Sequence, residues 1–313
     1  MRLKLRRAFC GDTTRLRVVP PEPATNRKGI AVAVIVKNEA FYLRDWLTFQ
    51  ALSGVDEVLL YDNGSTDGTV EIARTFDRIP VTVTPWKLSA WIAKSDMVIA
   101  EQELAYAHAI ANHGARFRWM AFIDSDEIIV PVVDRSLGEA LKPLEGHTNV
   151  SLPWVMFGHG GHDDRPEAPF THAFTQRAAE HSGALVNFKC IVDPCAVTLV
   201  RTHKVETRTH GTETVNDQGV AVSDYKARRE PSFRSTARLQ LNHYFLRSRA
   251  DFRAKVEAGD ITDAPKAKVA EHRLNLQRQI EAGPVEDTVT RAFLERVGCE
   301  NPRNFRQLGV GKP

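Results

Sequence analysis

The chain has 313 residues, of which 42% are hydrophobic and 26% charged, enough to bury a large core in one domain or two modest ones. Its net charge of +3 is small for this length and, despite local basic clusters in Met1–Arg7 and around Lys226–Arg238, gives no support to nucleic-acid binding, so no nucleic-acid partner is expected. No stretch reaches the roughly 20 apolar residues that cross a bilayer, so no transmembrane segment is expected.

Residues 1–28 read as a poorly ordered or peripheral arm, broken by Pro20, Pro21 and Pro23. Its basic run Met1–Arg7 is expected to be a solvated terminus, with peripheral contact to anionic lipid as the alternative. Phe9–Cys10 leads into Gly-Asp-Thr-Thr rather than an apolar run, so no secretory signal is expected. The four cysteines form no CxxC pair. Reduced thiols and a cytoplasmic location are therefore expected, although Cys190 and Cys195 are close enough to meet across a turn.

From Ile30 the texture changes. Ile30–Val36 is a continuous β-branched run, the mark of a strand covered on both faces. Leu43, Trp46, Leu47, Gln50 and Ala51 recur at helical spacing over 40–53. Glu57–Tyr61 reads as a second buried strand. A helix opening at Asp67-Gly-Thr turns Val70, Ala73 and Phe76 inward, and Val81–Thr84 is a third strand. Met97, Ala100, Leu104, Ala107 and Ala111 predict a longer helix before the strand Trp119–Ile123. This alternation predicts an α/β fold with a mostly parallel sheet and helices on both faces. Ligands of such sheets bind beyond the carboxyl ends of the strands.

Past Pro131 the pattern is mixed. Strands are expected at Val150–Phe157, Phe188–Val200 and Leu239–Phe245, and 204–238 is expected to be a long loop or lid. Helices are expected over 248–258, 265–281 and 287–297, the first opened by the capping-box-like Ser248-Arg-Ala-Asp251.

The polar residues just after the strands carry the chemistry. Asp124-Ser125-Asp126 places two carboxylates one residue apart at a strand end. They can share one hard cation, or one can hold the ion while the other meets a ribose. Mg²⁺ or Mn²⁺ suits such a pair, because it keeps positions free for phosphate oxygens, and a bound ion would offset charge on a departing diphosphate. Asp62 can accept from a base N–H or ribose hydroxyls, whereas Asp67 is expected to cap a helix. Glu39 is expected either to contact the nucleotide or to brace its loop, and Lys37 to meet phosphate or solvent. In the glycine-rich run 158–167, His159 and His162 alone make no zinc site. The acids Asp163, Asp164 and Glu167 there are candidates for a catalytic base, with an exposed turn as the alternative for each.

Val34-Ile-Val-Lys-Asn-Glu39, Tyr61-Asp-Asn-Gly-Ser-Thr-Asp-Gly-Thr69, Gln102 and Trp119-Met-Ala-Phe-Ile-Asp-Ser-Asp-Glu-Ile-Ile-Val-Pro131 together resemble the family-2-type glycosyltransferases. The resemblance is greatest to the branch related to glycosyltransferase family 92, whose acidic motif reads DxDEF; here Ile128 stands in the aromatic position. Trp154-Val-Met-Phe-Gly158, Gly161-His162, Lys189-Cys-Ile-Val-Asp-Pro194, His203 and Asn242-His-Tyr244 are similar to later blocks of that branch, so the likeness covers roughly residues 30–255.

The resemblance implies a GT-A fold, a nucleotide-sugar donor (usually a UDP-sugar), a divalent metal and inversion at the sugar carbon. It places Asp62 at the base, Asp124 and Asp126 at the metal and ribose, and His243 in the metal shell. Taken alone, His243 reads rather as a hydrogen-bonded core residue, and only with the resemblance do the two readings stand even; His203 reads as a phosphate contact or a packing residue. The expected organisation is an arm at 1–28, a glycosyltransferase domain at 29–247 and a C-terminal helical extension at 248–313. Within the domain, 29–131 is the nucleotide and metal half and 132–247 the acceptor half, taking a glycan or other hydroxyl acceptor. A nucleotidyltransferase is the first rival, but Val36-Lys-Asn-Glu39 lacks that class's glycine-rich phosphate loop. A non-catalytic sugar-binding protein is the second, and intact Asp124 and Asp126 argue against it.

Overall fold

The structure is a computed structural model that describes residues 16–88, 90–92, 97–179, 185–258 and 266–307. The basic run Met1–Arg7 and Cys10 lie outside the described residues. In chain order the first half runs β1 (Leu16–Arg17), β2 (Ile30–Val36), α1 (Ala40–Leu52), β3 (Glu57–Asp62), α2 (Thr69–Thr75) and β4 (Val81–Pro85). It continues through β5 (Ala90–Ile92), β6 (Met97–Ile99), α3 (Glu101–His113), β7 (Trp119–Phe122), β8 (Glu127–Pro131) and α4 (Leu137–Leu141).

Strand β2 pairs in parallel with β3 on one side and β7 on the other, and β4 adds in parallel beyond β3. Successive side chains of β2 serve opposite faces. Val32 and Val34 join Trp46, Leu47 and Phe49 of α1, while Ala31 and Ala33 join Tyr106 and Ala109 of α3. This double burial is why the run carries no polar residue.

Helix α3 begins at Glu101, so Met97 belongs to β6 and Ala100 precedes the helix. Its buried face is Ala105, Tyr106, Ala109 and Ile110, and Ala111 is exposed. Alanines on several faces left the periodicity ambiguous, and the bulk of Tyr106 and Ile110 decides it.

The second half runs β9 (Asn149–Met156), α5 (Phe170–Ala173), β10 (Gln176–Arg177), β11 (Phe188–Val192), β12 (Val197–Arg201), β13 (Lys204–Thr207), β14 (Thr214–Val215), β15 (Ala221–Val222) and β16 (Leu239–His243). The single strand expected over 188–200 is two, because Asp193–Ala196 forms a turn in which Asp193 Oδ1 accepts from Cys195 N at 3.0 Å. Strand β11 runs antiparallel to both β7 and β9, and β16 lies antiparallel to β8 and parallel to β9. The sheet is thus parallel through β7-β2-β3-β4 and mixed beyond.

The expected lid at 204–238 is instead stitched to the sheet. Asp217 Oδ2 accepts from the backbone N–H groups of Arg238 and Leu239, and Asn216 Nδ2 donates to Phe233 O. Arg228, also buried, donates to Ser151 Oγ and His203 O. The buried members of this polar run serve hydrogen bonds to the sheet, while residues such as His210, Lys226 and Glu230 face solvent.

The chain ends with α6 (Arg249–Ala258), α7 (Lys266–Ile280), β17 (Val285–Glu286), α8 (Val289–Arg296) and α9 (Pro302–Gln307), of which α9 was not expected. Phe293, Leu294 and Phe305 join the main core, with Phe293 tilted 5.5 Å from Phe49 of α1. Cys190, Cys195 and Cys299 are free and buried. Among the described residues no helix is long and apolar enough to cross a membrane.

Candidate nucleotide and metal site

The loops after β2 and β3 lock together through their own polar atoms. Asn38, at φ 56, donates its N–H to Ser65 Oγ at 2.9 Å and accepts from Thr66 N at 2.8 Å. Asp67 accepts from Ala40 N at 3.1 Å and Thr69 N at 3.0 Å, so one carboxylate caps the starts of α1 and α2. The capping role expected of Asp67 is therefore doubled. Asp62 ends β3 half-buried and accepts from Ser65 N at 3.1 Å across a turn that Gly64 permits at φ 71. Lys37 is exposed.

Glu39 takes the bracing alternative. Arg247 donates to Glu39 Oε2 at 2.8 Å and to Ser125 O at 3.1 Å while its guanidinium stacks 4.4 Å over Tyr42. This ties the loop after β2 to the acidic loop after β7.

Around Asp124–Glu127 the turn closes on itself. Glu127 is fully buried; its Oε2 accepts from Asp124 N at 2.8 Å and its N–H donates to Asp124 O at 3.0 Å. Asp124 Oδ1 meets Lys189 Nζ at 2.8 Å and also accepts from Gln102 Nε2. Asp126 Oδ2 accepts from Lys255 Nζ at 3.0 Å, and its Oδ1 faces His243 Nε2 at 3.4 Å. The other ring nitrogen of His243 faces Glu127 Oε1 at 3.8 Å.

Burial and partner charges compete in this cluster, and which one wins differs from residue to residue. Burial would raise Asp126, but Lys255, His243 and Arg247 together hold it well below the usual carboxylate range. Burial pushes Glu127 up to about 7, with Asp124 and Asp126 adding to the rise and Lys189 opposing it. Burial would lower Lys189, yet Asp124 and Glu127 raise it, so it stays an ammonium. Burial, aided by Lys189, lowers His203 to about 4.

Of the expected metal ligands, Asp126 and His243 are brought together, whereas the Asp124 side chain turns toward Lys189 and Gln102. Among the described residues no three metal-ligating side chains form a ready cage. The donor set still fits a divalent ion: carboxylate oxygens plus an imidazole suit Mn²⁺. Glu127 Oε1 stands 3.8 Å behind the far nitrogen of His243, beyond the hydrogen-bond distance at which a carboxylate orients a ligating ring. Lys255 supplies the positive charge at Asp126 in this structure.

The candidate base loop packs against the start of α6 and, through His159, against Arg247. Asp163 is 76% exposed and pairs with Arg249 at 2.7 Å, and Asp164 and Glu167 are exposed. The carbonyls of His162 and Asp163 accept from Arg249 N and Ala250 N, so the loop caps α6 rather than closing over Asp126. Lys255 is six residues further along, about 9 Å of helix rise. His159 is buried, with Nδ1 2.8 Å from Arg247 O, and His203 is a packing residue bonded to Phe188 O.

The roles of Glu127, Lys189, Arg247 and Lys255 were missed from sequence. A lysine inside the apolar strand Phe188–Val192 signals a buried charge that needs partners. Arg247 and Lys255 carry no such local sign.

The chain belongs to glycosyltransferase family 92, whose family model matches residues 29–253. A glycosyltransferase family 92 protein of Oryza sativa subsp. japonica is 28% identical over 210 residues, 63% of this chain and 34% of that protein. One from Ricinus communis is 26% identical over 163 residues, 47% of this chain and 26% of its own length. The chain thus spans about a third or less of these relatives. Among solved structures, a mannosyltransferase from Pyrobaculum calidifontis in complex with GDP-Man and Mn²⁺ is 22% identical, covering 48% of this chain and 42% of that one with a TM-score of 0.29. Glucosyl-3-phosphoglycerate synthase from Mycobacterium tuberculosis, in complex with Mn²⁺, UDP and glucosyl-3-phosphoglycerate, is 23% identical, covering 44% and 46% with a TM-score of 0.26.

Proposed function

We propose that this chain transfers a sugar from a nucleotide-sugar, a UDP-sugar, to a hydroxyl of a glycan or similar acceptor, with inversion, and that it uses Mn²⁺ or Mg²⁺. One observation carries the reading. Asp126 is kept ionised in a nearly closed site at the end of a parallel strand, facing a histidine that a buried glutamate backs. Asp126 and His243 would hold the ion, with Asp124 joining them by turning from Lys189. Bound there, the ion supplies positive charge that offsets the charge growing on the departing diphosphate.

The chain's own groups do the rest. Asp62, at the neighbouring strand end, receives a base N–H or ribose hydroxyl. Lys189 holds the Asp124 side chain in place, and Arg247 fixes the spacing of the two loops. Direct displacement also needs a carboxylate to take the acceptor's proton. Asp163, Asp164 and Glu167 are the exposed acids proposed for that role.

The test is the Asp126→Asn variant assayed for UDP-sugar turnover. It is expected to fold and to lose most activity, because a charged ligand is gone. Equal turnover in excess chelator and in Mn²⁺ would remove the metal from the proposal.

A further inference from the structure

A cavity of about 240 Å³ lies between β9 and the segment 231–236, lined by Trp154, Pro231, Arg234, Ser235 and Thr236 among others. We propose that it seats one pyranose ring of the acceptor, stacked on Trp154. This rests on the glycosyltransferase reading of the adjoining site and names where and how that site takes its second substrate.

Position is the first argument. The Trp154 ring packs 4.5 Å from His243 and 5.3 Å, edge-on, from His203. His243 in turn faces Asp126 Oδ1 at 3.4 Å. Trp154 is therefore the wall shared by the cavity and the carboxylate–histidine cluster. A ring seated on it lies next to the group proposed to hold the donor.

Chemistry is the second. A pyranose has C–H faces that suit an aromatic wall and a rim of hydroxyls that need partners. The cavity supplies the indole and Pro231 for the first need and a polar wall of Arg234, Ser235 and Thr236 for the second. Ser235 Oγ already donates to Gln218 Oε1 and accepts from Ala237 N, and a sugar hydroxyl would join or replace these bonds. The indole N–H of Trp154 is buried with no acceptor. That N–H is closed off from the cavity as well, so the indole enters the proposal as an apolar wall and not as a donor.

Size is the third. Pockets that hold larger ligands run to roughly 300–1,000 Å³, so this cavity suits a single ring rather than a whole nucleotide-sugar. It is also separate from the loops after β2 and β3, where the nucleotide is proposed to bind.

The experiment uses the full chain with UDP and Mn²⁺ present. Saturation-transfer NMR is run on methyl β-D-glucoside, methyl β-D-galactoside, methyl α-D-mannoside and methyl α-L-fucoside, with calorimetry of UDP alongside. At least one glycoside is expected to show saturation of its ring protons. Ser235→Trp fills the cavity from its partly exposed wall and is expected to weaken that signal about tenfold while UDP affinity stays within about twofold. Trp154→Phe keeps the stacking face and deletes the N–H, so it is expected to weaken glycoside binding less than Ser235→Trp. If UDP binds but no glycoside does, or if Ser235→Trp leaves glycoside binding unchanged, the cavity proposal is overturned while the donor site stands. If UDP itself fails to bind, the glycosyltransferase reading falls, and the cavity proposal with it.

Discussion

The two halves of the sheet solve opposite problems. In the parallel half the strands β2, β3 and β7 are apolar along most of their length, and polar groups appear where the chain leaves the sheet. There they satisfy one another across loops, as Asn38 does with Ser65 and Asp67 does with Ala40. In the mixed half, polar groups stand inside the strands. Lys189 sits in β11, and Gln240, Asn242 and His243 sit in β16, all buried. One half supplies a rim held by caps, and the other supplies charge held by ion pairs. Asp124, Asp126 and Glu127 lie at the seam, so the mixed half breaks the ordinary rule for buried strands where the site needs charge.

The largest effect expected from breaking this contrast is at Lys189. Lys189→Met leaves Asp124 and Glu127 facing an apolar side chain. Removing one member of a buried pair costs on the order of 3–5 kcal/mol. Urea unfolding at pH 8, above the value near 7 at which Glu127 titrates, measures it. A loss below about 1 kcal/mol, the size of a typical helix cap, would mean that the mixed half does not depend on its ion pairs.

The pH dependence sharpens the same contrast. His203 is held to about 4 by burial and by Lys189, against an ordinary value of 6.5. Between those values the unfolded chain binds the proton and the folded chain does not. The neutral ring thus contributes stability that is whole above about pH 6.5 and lost as pH falls toward 4. A shift of this size corresponds to roughly 3 kcal/mol over the window. His203→Asn keeps a donor for Phe188 O and removes the titration. The stability difference between wild type and variant should therefore narrow or reverse as pH is lowered through that range. A difference that stays flat with pH would show that His203 titrates normally.

A smaller effect is expected in the parallel half. Asp67→Ala strips the cap from two helix starts, at about 1 kcal/mol for a typical cap and up to about 2 kcal/mol where it is strong. Asp67→Asn keeps an acceptor for one of the two N–H groups and should recover part of the loss in the same unfolding measurement. If neither change alters stability, the loops are held by Asn38 and Ser65 alone.

This difference between the halves also explains what was legible in the sequence. Residues 30–123 include one long-range pairing, β2 with β7, but repeat a strand–helix alternation whose parallel sheet sends every strand's carboxyl end to one edge, so local periodicity and the acids after each strand were enough to place Asp62, Asp124 and Asp126 there. In the mixed half β16 pairs with β8 and β9 across about a hundred intervening residues, and no local pattern reports such a pairing. The same holds for Arg247 and Lys255, which reach the acidic loop from the far end of the chain. The polar run 204–238 looked like a lid because composition does not reveal that Asp217 and Arg228 point inward. Met97 was assigned to a helix because its spacing to Ala100 and Leu104 was helical, although strand β6 claims it.

The smallest change in stability is expected at Asp163, and its value lies in the contrast with activity. Asp163 and Arg249 are both well exposed, so their pair is screened by solvent and salt. Exposed pairs of this kind are worth about 0.2–1 kcal/mol, and Asp163→Asn should cost no more than that. The backbone bonds from Arg249 N and Ala250 N to the loop carbonyls survive the change, so the cap on α6 stays in place. A structural acid would therefore show little in either unfolding or turnover. A base would show little in unfolding but lose about 10²–10⁴-fold in kcat for transfer, with donor affinity nearly intact. The same comparison applies to Asp164→Asn and Glu167→Gln, and one of the three is expected to show the split. Because the loop sits about two turns of α6 away from Lys255, the acceptor must reach across that distance for any of them to act. Normal transfer by all three amide variants would place the base within the seam itself and leave the 158–167 loop as the anchor of α6.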